Sequence, residues 1–295
     1  MPFVYSDRYF AEFGEHVFPV EKYLRVYKEL KKRGVADSEF YEPQEASRED
    51  LLLVHTPAYL EDIEQLKWTQ RTMFSELPLT REIITLFKLA AGGTILATEL
   101  AMQRGYAVHI GGGFHHAFAA KAEGFCYIND LAVAAQKYLE KEAKGRVLVV
   151  DLDLHQGNGT AKIFQGERRV FTFSMHQKDI YPVKESSDLD LHLPAGTQDE
   201  EYLELLDRAF EKIRKKFSAT LILYQAGADP FYQDQLGSLA LTKEGLRQRD
   251  LRVYEFARQQ KAALVVTLGG GYAYDTRHTV DIHVTTCWEA YQFFR

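Results

Sequence analysis

The sequence predicts an α/β protein: one mostly parallel β-sheet with helices on both faces. Three observations carry that reading. From about residue 106 onward, short apolar runs alternate with segments of helical periodicity, the rhythm of strand–helix–strand units. Several runs, Val147-Leu148-Val149-Val150 above all, are apolar at every position, as strands covered on both faces are. Four of them end in glycine-rich or polar segments, where the loops of an open parallel sheet face a shared crevice.

Taken in order, residues 1–70 read as a helical lead-in. Ser47 is placed to cap before Asp50, and in Thr56-Pro57 the Thr suits an N-cap and the Pro a first helical turn. Apolar residues recur at helical spacing from Ile83 to Leu100, so 80–104 is predicted as a long buried helix, interrupted at Gly92-Gly93, a pair that would mark close packing. A strand over 106–110, a helix from Asn129, a strand over 146–151, a short helix after Gly159 and a strand over 169–174 follow. The next helix is expected to open at Thr197, with Thr197-x-x-Glu200 as a capping box. Strand 220–225, helix 243–260 and strand 263–268 complete the series. No repeat, low-complexity tract or linker interrupts it, so residues 1–295 are read as a single domain.

Composition narrows the function classes. At 46% hydrophobic and 26% charged residues the chain has ordinary globular proportions. A net charge of -6 gives no support for nucleic-acid binding. The N-terminal segment lacks a basic then apolar targeting pattern, and no apolar run reaches about 18 residues. The expectation is a cytoplasmic protein with no membrane partner. The two cysteines, Cys126 and Cys287, lie far apart, so neither a disulfide framework nor a thiolate zinc site is indicated. Cys126 is expected to be a small buried hydrophobe. Any metal must be held by nitrogen and oxygen.

The chemistry concentrates at strand ends. Asp151-Leu152-Asp153-Leu154-His155 leaves the apolar run at 147–150, and period-2 geometry would put its two acids and its imidazole on one side. On this pentapeptide alone, a metal set and a solvated strand end both fit. The other strand ends deliver Gly111-Gly112-Gly113-Phe114-His115-His116, Gly227-Ala228-Asp229 and Gly269-Gly270-Gly271-Tyr272. Polar groups at all four ends of one sheet point to an active site. The glycines do not form a Gly-x-Gly-x-x-Gly fingerprint and no acid ends a second strand about 20 residues on, which argues against nucleotide binding. His16, His55, His109, His192, His278 and His283 have no partner visible in sequence and read as structural.

Those motifs, with Gly124-Phe125-Cys126-Tyr127-Ile128-Asn129-Asp130, Asp151 to Gly159 and the N-terminal His55-Thr56-Pro57-Ala58-Tyr59-Leu60, resemble the histone deacetylase superfamily. The resemblance implies the arginase/deacetylase fold and hydrolysis of an N-acetyl amide at one catalytic metal. The implied metal ligands are Asp153, His155 and Asp229, with Zn2+ the default and Fe2+ the alternative. It further implies that His116 activates water and protonates the leaving amine, that His115 supplies positive character, and that Tyr272 stabilises the oxyanion. Asp151 would bond His115, and Asn158 would bond His116. Gly124 and Phe125 would wall a narrow acyl-lysine tunnel. A structural K+ or Na+ would sit on backbone oxygens of Asp151, Asp153, His155, Ser174 and Met175.

Two departures stand out. His155-Gln156-Gly157 replaces the His-His-Gly of many relatives and resembles the class IV and bacterial branch. Asn158 is an amide where some relatives use an aspartate. The implied substrate is an acetylated protein lysine, with acetylpolyamines and other small N-acetyl metabolites as the alternative. An arginase-type ureohydrolase would want Asp-x-Asp where Gly227-Ala228-Asp229 supplies one acid, and an inactive acyl-lysine-binding module would not need every motif residue intact.

Overall fold

The chain forms, in order, β1 (Phe3–Val4), α1 (Lys22–Lys32), β2 (Phe40–Tyr41), α2 (Arg48–Leu52), α3 (Pro57–Glu64) and α4 (Arg81–Arg104). There follow β3 (Tyr106–His109), α5 (Asp130–Lys141), β4 (Val147–Asp151), α6 (Asn158–Ile163), β5 (Val170–Gln177) and β6 (Leu189–Leu193). The remainder is α7 (Asp199–Lys216), β7 (Leu221–Gln225), α8 (Lys243–Gln260), β8 (Ala263–Thr267) and α9 (Thr276–Phe293). The computed structural model describes residues 2–295. All eight strands named here lie in one sheet of order β2-β1-β3-β8-β7-β4-β5-β6, and every pairing in it is parallel.

The continuous apolar strands do cover two faces. In β4, Leu148 and Val150 join one core while Val147 and Val149 join the other, and β7 divides the same way between Ile222 and Tyr224 and Leu221 and Leu223. The first core is closed by α1, α7, α8 and α9, the second by α5 and the C-terminal half of α4. The chain leaves β4 toward β5 on one side and returns as β7 on the other. This reversal makes the carboxyl end of β4 a switch point, where the loops splay and open a crevice.

Helix α4 is long and apolar enough, by length and composition, to cross a membrane, but 72% of its most apolar window is buried inside the protein. It is a core helix. Its Gly92-Gly93 pair does not interrupt it. A Cβ on Gly92 would come 1.8 Å from Gln44 O, and one on Gly93 2.3 Å from the Tyr9 hydroxyl. The pair therefore lets two neighbours approach the helix axis.

Caps at Ser47 and Thr56 form as the sequence indicated, Ser47 within a reciprocal box with Asp50. The box expected at Thr197 does not. Thr197 Oγ1 donates to Pro194 O instead (2.9 Å), and α7 starts at Asp199 behind an uncapped Gln198. The hydroxyl is taken by the preceding turn, so the first helical amides face three acids, Asp199, Glu200 and Glu201, which suit the helix dipole.

Gly92→Ala should gain about 1 kcal/mol of helix propensity, yet the new methyl meets a main-chain carbonyl that cannot swing aside. Overpacking of about 1–3 kcal/mol or more should win. Chemical denaturation should show a lower midpoint at unchanged slope; a stabilised variant would contradict the packing described.

Candidate metal centre and active site

Each site residue is placed by the end of a strand. After β3 the chain bends around the buried Asp130 carboxylate at the start of α5, which accepts Gly113 N (3.0 Å) and Phe114 N (2.7 Å). The bend needs positive φ at Gly112 (65°) and Gly113 (85°), a conformation open mainly to glycine. It delivers His115 and His116. Beyond β4 the main chain leaves the sheet at Asp151, and Asp153 and His155 lie on the irregular turn that follows.

Asp153, His155 and Asp229 are all buried, and their ligand atoms lie within 4.8 Å of one another. His155 Nδ1 stands 3.4 Å from both Asp153 Oδ1 and Asp229 Oδ2. Main-chain amides hold the other faces of the carboxylates: Gly270 N to Asp153 Oδ2 (2.8 Å), His155 N to Asp153 Oδ1 (3.0 Å) and Leu154 N to Asp229 Oδ1 (3.0 Å). Asp229 Oδ2 is buried with no hydrogen-bond partner. Burial, then the Asp153 charge, push the Asp229 carboxyl up to about 7. Burial opposes charge on His155, but the two carboxylates outweigh it and carry it to about 10. A divalent ion between the carboxylates balances the same charge with the imidazole neutral. Two oxygens and one nitrogen on one point, one oxygen otherwise unpaired, fit a catalytic metal with open positions.

The tandem histidines face this group with opposite electrostatics. His115 Nδ1 bonds Asp151 Oδ2 (2.7 Å), and although burial opposes it, Asp151 and Asp153 raise the imidazole to about 9. His116 Nδ1 bonds Asn158 Oδ1 (2.8 Å). Burial, then the neighbouring His115 and His155 charges, hold it well below its ordinary value. The two Nε2 atoms are 3.1 Å apart.

These groups floor a cavity of about 310 Å³, walled by Phe18, Phe125, Tyr181, Leu236, Gly124 and Tyr272 among others. Tyr272 is 8% exposed, its ring against Phe125 and Phe18. Burial holds its hydroxyl well above the ordinary tyrosine range, hence protonated and a donor. Asp234 Oδ2 accepts Tyr272 N (2.7 Å) and Gln235 Nε2 donates to Tyr272 O (2.8 Å).

The structure thus brings together Asp151, Asp153, His155, Asp229, His115, His116, Asn158, Tyr272, Gly124 and Phe125. The period-2 expectation for the acidic run needs one correction. The strand ends at Asp151, whose carboxylate serves His115, while Asp153 and His155 turn together toward Asp229. Ser174 pairs in register with Asp151, which puts Ser174 and Met175 beside the acidic turn. Cys126 is buried, as expected. His55 and His109 sit in buried hydrogen bonds away from the cavity, whereas His16 packs edge-on against the channel residue Phe125.

Several contributors escaped sequence reading. Glu123 Oε1 accepts Asn158 Nδ2 (2.7 Å), Tyr181 forms a wall, and the fully buried Lys22 donates to Gly269 O (2.5 Å). A lysine in the apolar stripe of an amphipathic helix was the one visible signal, at Lys22.

Residues 16–287 match the histone deacetylase domain family. The chain is 38% identical over 286 residues to an uncharacterized protein of Picosynechococcus sp., covering 96% of this chain and 95% of that one. It is 34% identical to histone deacetylase 2 of Arabidopsis thaliana, across 91% of this chain and 74% of the relative. The crystal structure of an HDAC homolog from Aquifex aeolicus superposes with a TM-score of 0.84 at 26% identity, covering 98% of this chain and 83% of that chain.

Asp229→Ala should abolish metal uptake. Added Zn2+ should raise the melting temperature of the metal-free wild type, as any ligand specific to the folded state does, and leave the variant unmoved. An equal rise in both would remove Asp229 from the metal set.

Proposed function

The chain belongs to the histone deacetylase family, and from that premise we propose that it is a zinc-dependent hydrolase that removes an acetyl group from the ε-amine of lysine or a similar amine. One observation carries the reading: the buried Asp153, His155 and Asp229 set meets the His115-His116 pair at the floor of an apolar channel. The same donors would suit ferrous iron. A structural K+ or Na+ is proposed on main-chain oxygens of Asp151, Asp153, His155, Ser174 and Met175, and the cytoplasm as the location.

The metal, when bound, supplies Lewis acidity to water and to the substrate carbonyl. The rest falls to side chains. His116 carries its proton on Nδ1, toward Asn158 Oδ1, which leaves Nε2, 3.1 Å from His115 Nε2, unprotonated to take a proton from water. Its low affinity for protons keeps it neutral until then, and it returns the proton to the leaving amine. His115, held by Asp151, sets a positive charge beside the developing negative one. Tyr272 donates its hydroxyl to the oxyanion. Phe125 and Tyr181 exclude water from the acyl chain.

Acetylpolyamines and other small acetylated amines form a second reading. It is favoured by Glu76, an exposed acid that lines the cavity and would attract a second positive charge on the substrate. A chelator-sensitive assay across acetyl-lysine peptides and acetylpolyamines tests both readings, and failure on every acetylated amine after Zn2+ loading would refute them together.

Tyr272→Phe should keep its metal and lose about 10²-fold in kcat, the usual cost of one oxyanion donor; full activity would remove the role. Asn158→Asp would put a carboxylate beside His116 and raise the pKa of the base. Because the base must be neutral, the acidic limb of the kcat/KM profile should move to higher pH. An unmoved limb refutes the pairing.

A further inference from the structure

The segment 178–187 between β5 and β6 carries Tyr181, whose ring centroid lies 5.5 Å from that of His116 and 6.3 Å from that of His155. Its hydroxyl lies against Gly124, where a Cβ would come within 2.6 Å of it. Tyr181 thus sets the gap between the two channel walls. Packing holds it only in part: Pro182 is buried and Ile180 packs on the core, but Tyr181 is 45% and Val183 87% exposed. Polar ties supply the rest.

The first tie is Gln156, fully buried between His155 and Asn158. Its Nε2 donates to Glu185 O (2.6 Å) and to Asp190 Oδ1 (2.8 Å), while Glu185 N donates to its Oε1 (2.8 Å). The second is Lys184. Its ammonium donates to Ile180 O (2.8 Å), with Pro182 O at 3.3 Å and Tyr181 O at 3.4 Å, so it gathers the carbonyls on either side of the wall residue.

A carboxamide presents donor and acceptor side by side, which is what gripping both the N–H and the C=O of a single residue requires. A histidine carries its two nitrogens on diverging ring edges and cannot hold both; a carboxylate has no donor. We propose that Gln156, seconded by Lys184, is a specificity-determining positioning residue: it locks the 180–185 backbone to the catalytic turn, fixes Tyr181 as a rigid wall, and restricts the channel to short, unbranched acyl groups. The inference rests on the deacylase reading above and adds what sets acyl width.

The test compares wild type with Gln156→Ala, Gln156→His, Lys184→Met and Lys184→Arg, each Zn2+-loaded, on acetyl-, butyryl- and octanoyl-lysine peptides. Both Gln156 variants and Lys184→Met should keep full metal content, raise KM for the acetyl peptide, and shift kcat/KM about tenfold toward the larger acyl groups, within the range one methylene in a pocket commands. Lys184→Arg should restore wild-type selectivity. Hydrogen exchange in 178–187, measured on metal-free protein, should quicken in Gln156→Ala and in Lys184→Met. Unchanged exchange with unchanged selectivity overturns the proposal. If Gln156→Ala does not fold, the Lys184 pair decides alone. Wild-type protein inert on every acyl-lysine would count against the deacylase reading, while the exchange result would still support or overturn the clamp.

Discussion

The constraint on which this structure turns is the burial of negative charge. Asp151, Asp153, Asp229 and Asp234 are each less than 10% exposed, in and beyond the carboxyl ends of the central strands. Isolated carboxylates there would cost far more than the fold's net stability. All but one oxygen of this set is answered. Asp153 receives the amides of His155 and Gly270, Asp229 Oδ1 that of Leu154, Asp151 receives His115, and Asp234 receives Tyr272 N and Leu236 N, while Asp229 Oδ2 is left for a cation. Lys22 completes the field from the far side. Burial lowers its ammonium to about 8, but Asp229, Asp153 and Asp234 work to keep the charge on.

The glycines follow from the same constraint. Carboxylates packed this tightly leave no room for side chains on the strands that carry the amides. A Cβ at Gly270 would come 2.0 Å from Asp229 Oδ2, and one at Gly227 2.5 Å from Asp229 Oδ1. The triple glycine ahead of Tyr272 is thus the condition for bringing the Gly270 amide onto an acid and, two residues on, a phenol over the cavity.

How much of this could be read from the chain depends on whether the signal is local. The strands β4, β7 and β8 are apolar throughout because both faces are covered, and they were legible. Strand β6, Leu189-Asp190-Leu191-His192-Leu193, alternates as an edge strand does and gives a weaker signal than the continuous apolar runs; β1 and β2, two residues each, carry no periodicity. Helix α9 is dense in β-branched and aromatic residues, which blunts its helical pattern. Among site residues, those in contiguous motifs were found. Glu123, Tyr181, Lys22 and Asp234 were not, because each acts on a partner from a separate stretch of chain. Thr197 shows the converse: a correct local pattern lost to a competing carbonyl.

The division of labour between two adjacent histidines shows how the buried charge is turned to use. His115 and His116 share a loop, a depth and nearly a position, yet one is held charged and the other neutral. Two groups of the same type pushed apart in proton affinity are what an acid–base site needs. What separates them is the charge around each ring: His115 has the Asp151 carboxylate at Nδ1 and Asp153 beside it, whereas His116 has a carboxamide at Nδ1 and the His115 and His155 charges beside it. A carboxamide could in principle turn its NH2 toward the ring and invert the tautomer. Glu123 prevents this. Its carboxylate, only an acceptor, takes Asn158 Nδ2, so Oδ1 must face His116 and the His116 proton must sit on Nδ1. The unprotonated Nε2 at the cavity floor is therefore fixed by an acid that never touches the ring.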